Sequence, residues 1–402
     1  MTSADYTVDL DTAEQFLEYI RPSRSHWDTY LQGKLRWVFR GQRDANWALL
    51  PSAWRTDEAS KVTMEHLSSN YGTEGLSTFE HHFERCRLTT PSYVADINSQ
   101  SETELRILQE FIAHANAAGM PLPYSSVEIQ PQDFGFIAAF QGKEIDYPGY
   151  EQRNGHFFDI ALRSQSMDFG DINEELGNSP ELHEEIRSLR EAWPFLINFT
   201  MRNPVAALAQ HHGIPTRLLD WSHDSRIAAY FACSNINEEE MADFNKRVSV
   251  FALNPFLLQR ERITEDDLAQ FPNDTEAAKV HLSQHSTFVE KSETTSYLAA
   301  QSGLFTHPDF ADLFRILTGE YPTIDKSIEL MINWKQHTSS DGSHDIKDYI
   351  RKITLPYHES DRLMEMLDDE RIFLATLMPS LDRMKESILA RSIRSSRIAK
   401  RR

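Results

Sequence analysis

Cysteine, glycine and long apolar runs are all scarce in this chain, and each scarcity removes a class of protein. Two cysteines, Cys86 and Cys233, are too few for a disulfide framework or a thiolate zinc centre. No apolar run approaches the ~18 residues that span a bilayer. The longest, Phe134 to Phe140 and Ile227 to Cys233, have the length of buried elements. With 15 glycines there is neither a G-x-x-x-x-G-K-[ST] phosphate loop nor a dinucleotide fingerprint, which removes kinase-like and ordinary dehydrogenase readings. The opening Met-Thr-Ser-Ala-Asp-Tyr lacks the basic-then-apolar order of a secretory signal, so the expectation is a cytoplasmic protein. Internal repeats and Pro- or Gly-rich linkers are lacking too.

What is present suits a globular protein. The 402 residues include 23 Phe, 13 Tyr and 7 Trp, ample material for a core. Acids outnumber bases 61 to 41, for a net charge of −20. The excess is uneven: eight Lys/Arg and two acids follow Leu381, a tail of +6 that leaves −26 for the rest. An acidic body argues against broad nucleic-acid binding, while the tail is a candidate contact for nucleic acid or an acidic protein surface. In that tail Arg391, Arg394 and Arg397 recur every third residue, with Ile388, Ile393 and Ile398 interspersed.

The pattern predicts an α+β class, with mixed small sheets and helices and no regular βαβ alternation. Asp11 and Glu14 have capping-box spacing ahead of Ala13, Phe16, Leu17 and Ile20, which predicts a first helix. Leu35 to Arg40 reads as a strand closed by Gly41. Ser101 and Glu104 suit the start of another helix, and 125–188 is rich in Pro, Gly, Asn and acids. Further on, Pro204 opens a helix that Gly213 stops, and Ser222 is a candidate cap for a second. Strands are expected at Val248–Leu253, Ile350–Leu355 and Ile372–Leu377, and a helix from Ser360.

Two segments carry more polar chemistry than packing requires. In the first, Trp37-Val-Phe-Arg-Gly-Gln-Arg43, a strand delivers Arg40 onto a glycine, beside which a ligand or another backbone can approach closely. Arg suits bidentate recognition of phosphate or carboxylate; the alternative is an ion pair within the acidic body. The second, Gln210-His-His-Gly-Ile-Pro-Thr-Arg-Leu-Leu-Asp-Trp-Ser222, sets Arg217 and Asp220 around apolar Leu218 and Leu219. Such charges must pair, so a structural Arg217–Asp220 clamp is one reading and a ligand site the other. No metal site is expected, because His211, His212, His223 and Asp220 match no standard ligand spacing.

Together the Phe39-Arg40-Gly41-Gln42 motif, Pro51-Ser52 with Arg55, and the Gln210–Ser222 run resemble the FRG domain, which is named for that first tripeptide. The likeness continues through Ala228–Ala232, Gln301–Thr306, Ile353–Pro356 and Leu377–Asp382. One departure is His223-Asp-Ser-Arg226, where the family usually has a proline. The resemblance implies a mostly bacterial family and a single interrupted domain. That domain would be built from 10–56 and 190–382, with a loop-rich insertion at 57–189 and a basic tail at 383–402.

Two functions are compatible with these residues. The first is an enzyme acting on a nucleotide, with an ADP-ribosyltransferase-like layout and NAD as candidate substrate; no other cofactor is implied. In it Arg40 would clamp the anionic group, with Gly41, Gln42, Arg217 and Ser222 as further ligand contacts. Asp220 would orient Arg217 or a histidine, and Gln301 would hydrogen-bond a sugar or amide. The catalytic candidates are Asp220, Gln301 and His211, while Glu290 and Glu293 remain open as alternative carboxylates. The second function is a non-catalytic module that binds or senses an anionic ligand or a partner macromolecule.

Overall fold

The computed structural model describes residues 6–21, 23–24, 27, 37–55, part of 104–120, 204–263, 275–288, 303–308, 310–338 and 345–401. Among the described residues, seven strands form one sheet: β1 (Thr7–Asp9), β2 (Val38–Gln42), β3 (Leu219–Ser222), β4 (Arg247–Leu253), β5 (His285–Phe288), β6 (Gly303–Pro308) and β7 (Ile350–Pro356). Their order is β1-β7-β4-β2-β3-β6-β5. Only β1 and β7 run parallel; the other neighbours are antiparallel. The class is mixed α+β, and strands from both ends of the chain share the sheet.

Alternation along β2 divides the two cores. Phe39 faces the side covered by α1 (Ala13–Ile20), α3 (Ser225–Cys233, the next helix but one) and α9 (Ser360–Asp369), where Val250, Ala252, Ile353 and Leu355 join it. Val38 faces the other side, packed with Phe251 and Leu253 beneath Ile328, Met331 and Ile332 of α8 (Ile324–Thr338). Arg40 pairs in register with Phe251, so by the period of two its side chain starts on this second side. Helix α1 buries Ala13, Phe16, Leu17 and Ile20, the stripe its spacing predicted, but Thr12 rather than Asp11 caps it.

Three local expectations are corrected. Strand β2 runs through Gly41 to Gln42 instead of ending at the glycine. A Cβ at Gly41 would lie 2.0 Å from the Ala228 carbonyl oxygen and 2.7 Å from the Ala232 nitrogen. The backbone of α3 thus occupies the open side of Gly41. Next, α2 (Pro204–His211), which stops at Gly213 with φ 85°, is followed by strand β3 before α3 begins. Asp224, not Ser222, caps α3, because its carboxylate accepts from the Arg226 N–H at 2.9 Å. Finally, Ile372–Leu377 is no strand. Arg371 adopts φ 63° and ends α9, and Thr376 Oγ1 accepts from the Phe373 N–H to start a single helical turn, Leu374–Leu377.

The chain from Leu381 is a 21-residue helix, here α11, that packs on α9. No helix among the described residues is long and apolar enough to cross a membrane.

Candidate functional site

Arg40, at the middle of central strand β2, reaches across to β3. Its Nη1 donates to the Asp220 carbonyl at 2.8 Å and to the Asp220 carboxylate Oδ1. Gln210, on the last turn of α2, donates from Nε2 to the same Oδ1 at 3.1 Å, and Thr216 Oγ1 donates to the Gln210 side-chain oxygen. Thr216 is in turn fixed by the Pro51-Ser52 segment. Its N–H donates to Ser52 Oγ at 3.2 Å, and its carbonyl accepts from the Ala53 N–H at 3.1 Å. The Arg40 and Ser52 segments therefore meet the Gln210–Asp220 block, from which the hydrogen-bonded residues are separated by 180 and 164 positions, through one hydrogen-bond chain that includes the Asp220 carboxylate.

Burial is unequal across this pair. Arg40 is 9% exposed, whereas Asp220 is 62% exposed. Desolvation pulls the Asp220 carboxyl upward, but the charge and hydrogen bond of Arg40, helped by Arg55, outweigh it and hold the group below its ordinary value. The site thus presents an ionised, oriented and solvent-facing carboxylate. Beside it His211 is pushed down by partial burial and by the charges of His212 and Arg383, with Asp220 opposing, so its neutral form prevails at pH 7.

Arg217 does not join this cluster. Its guanidinium lies over the Trp54 ring and pairs with Glu104, Nε donating at 2.6 Å and Nη2 at 3.3 Å, and both side chains are 4% exposed. The Trp54 indole N–H donates to the same carboxylate at 3.1 Å. The expected Arg217–Asp220 clamp is therefore replaced by two separate pairs, and Asp220 orients Arg40 rather than Arg217. Asp220 alternates along β3 with Leu219 and Trp221, which enter the second core, whereas Arg217 lies before the strand and pairs with Glu104.

The remaining candidates fall as follows. Gln42 is buried, its Nε2 donating to the Ala48 carbonyl at 3.2 Å, which ties down the loop after β2. Ser222 is buried and its Oγ accepts from the Asp224 N–H at 3.0 Å. Gly41 packs under α3. Gln301, Glu290 and Glu293 lie outside the described residues. Among the described residues no group of three His, Cys, Asp or Glu stands close enough to hold a metal ion. Glu104 and the linking roles of Gln210 and Thr216 were missed in the sequence. Glu104 read only as a helix-start residue, and nothing in its spacing points to Arg217, 113 positions away.

The model of the FRG domain family matches residues 175–241, so the chain contains an FRG domain. The matched stretch holds the Gln210–Ser222 block, begins upstream of the boundary expected at 190, and does not include the Phe39–Gln42 motif. That motif is joined to it by the pairing of Phe39 with Ser222. No curated protein and no solved structure matches the chain.

Proposed function

We propose that this FRG domain protein is a nucleotide-acting enzyme with an ADP-ribosyltransferase-like site that uses NAD as donor. The observation that carries the reading is Asp220: a carboxylate kept ionised and fixed by Arg40 and Gln210, yet open to solvent. Loss of nicotinamide from NAD builds positive charge at the ribose carbon, and an oriented carboxylate stabilises that charge without reorganising. Arg40 is nearly buried and bonded to Asp220, so its part is to position the carboxylate rather than to clamp a diphosphate. Neutral His211 within electrostatic reach is the candidate proton acceptor for the incoming nucleophile.

The test is release of nicotinamide from NAD by the purified chain in the presence of a cell lysate as acceptor source. Release that is lost in Asp220→Asn supports the enzyme. Saturable NAD binding without release supports instead the non-catalytic binding or sensing module. No binding of NAD or related nucleotides removes the ligand assignment.

A further inference from the structure

Arg40 is engaged in positioning Asp220. Its side chain is 9% exposed, and Nη1 donates to both the carbonyl and the carboxylate of Asp220. A donor such as NAD carries its negative charge on a diphosphate, which the Asp220 carboxylate repels, so that charge needs a cation of its own nearby. The fold brings a second arginine to the same place. Arg55 follows the short helical turn Ser52–Trp54, and its N–H donates to the Ser52 carbonyl at 3.4 Å. This turn is fastened to the Gln210–Asp220 block at Thr216. Ser52 Oγ accepts from the Thr216 N–H at 3.2 Å and donates to its carbonyl at 3.3 Å, where the Ala53 N–H also donates at 3.1 Å. Trp54 anchors the turn further, stacking on Tyr321 with ring centroids 4.0 Å apart and donating to Glu104. The Arg55 side chain is itself oriented, because Nε donates to the Leu50 carbonyl at 3.1 Å.

We propose that Arg55 holds the anionic group of the substrate beside Asp220, a diphosphate if the ligand is NAD, an identity that rests on the function proposed above. Burial divides the work between the two arginines. Arg40 is nearly sealed and orients the carboxylate, whereas Arg55 is half-buried, within reach of both solvent and site. The charge of Arg55 is already felt there, since it helps to hold the Asp220 carboxyl below its ordinary value. Bidentate recognition of phosphate uses the outer Nη edge of a guanidinium, and the bond from Nε to Leu50 sets the plane of that edge before a ligand arrives. A side chain ordered in advance lowers the cost of binding. An anion at Arg55 would thus lie on the side of Asp220 where the Pro51–Arg55 turn meets Thr216.

The experiment measures nicotinamide release and, separately, calorimetric binding of ADP-ribose and inorganic pyrophosphate. Both use the full chain, its Arg55→Gln and Arg55→Lys variants, and Arg362→Gln as control. Arg362 is an exposed arginine of α9 paired with Glu14 and Glu365, so its loss removes the same charge elsewhere. In Arg55→Gln the KM for NAD is expected to rise at least about tenfold while kcat changes by at most about threefold, with far-UV circular dichroism unchanged. ADP-ribose binding should weaken by a similar factor, Arg55→Lys should recover part of both losses, and Arg362→Gln should cause neither. A fall in kcat at unchanged KM would mean that Arg55 only shapes Asp220, and it overturns the proposal. So does an equal effect of Arg362→Gln. If the wild-type chain releases no nicotinamide, the enzyme reading fails while calorimetry still decides the role of Arg55. ADP-ribose or pyrophosphate binding that is lost in Arg55→Gln then upholds the anion subsite. Binding that Arg55→Gln leaves intact, or no binding by wild type, overturns it.

Discussion

Two arginine–carboxylate pairs stand a few residues apart on the same block, and they do opposite things. Arg217–Glu104 is sealed, with both partners 4% exposed and the Trp54 ring beside the guanidinium. Arg40–Asp220 is sealed at the arginine and open at the carboxylate. The chemistry of the partners is the same; solvent access at one oxygen pair separates a sealed rivet from a carboxylate that water can reach. A buried pair contributes mainly when it is intact, because losing one member strands a charge in low dielectric. In the half-open pair, loss of the carboxylate still strands the buried Arg40 guanidinium, whereas an amide in its place keeps an acceptor and the oxygens stay exposed to solvent.

The comparison can be broken most forcefully at the sealed pair. Arg217→Ala leaves Glu104 buried without its cation and is expected to cost about 3–5 kcal/mol in urea denaturation. Arg217→Met combined with Glu104→Leu is expected to recover most of that loss, since the desolvation penalty disappears with the charges. Next in size is Gly41→Ala, where the new methyl meets the α3 backbone at 2.0 Å. Strand and helix must separate, at a cost of about 2–3 kcal/mol in the same measurement.

At the open pair the expected pattern inverts. Asp220→Asn keeps an acceptor for Arg40 and should change stability by about 1 kcal/mol, while nicotinamide release falls at least a hundredfold, about 2.7 kcal/mol in barrier. Equal loss of stability in Asp220→Asn and Arg217→Ala would erase the distinction. Arg40→Lys keeps the charge but not the planar fork. It is expected to slow release about tenfold with little change in KM for NAD, as befits a positioning residue.

The pH dependence is the mildest effect. The folded-state value of Asp220 lies below its unfolded one of about 3.9, so its contribution to stability is complete above that pH. The contribution is lost as pH falls through the depressed folded value. His211 is likewise lowered from about 6.5, so the release rate should fall to half its plateau only below that pH. A half-maximal rate near pH 7.5 would contradict the lowered value of His211 as the titrating base.

Much of the fold was legible because periodicity is local. The stripe Ala13, Phe16, Leu17, Ile20 buries as spaced, Gly213 takes the left-handed stop, and the strands at Val248 and Ile350 lie where β-branched residues concentrate. Ile372–Leu377 failed for the converse reason. A short apolar run fits a strand or a helical turn equally, and the side chain of Thr376 decided it. The candidate residues were legible as types, since Arg, Asp, His and Gln beside apolar backing must be satisfied or used. Their partners were not, because Arg217 finds Glu104 and Arg40 finds Asp220 only across folded distance.

The sequence by itself determined α1, the helix opened by Pro204 and the strands at Val248 and Ile350, and that two polar blocks would need partners; both follow from side-chain spacing and the cost of burying charge. Tertiary structure decided which acid meets which arginine, that the open side of Gly41 receives a helix, and that Arg394 and Arg397 of the basic tail dock on Asp368 and Asp361. Each of those depends on strand order and helix docking, contacts among residues up to hundreds of positions apart, which no local pattern encodes.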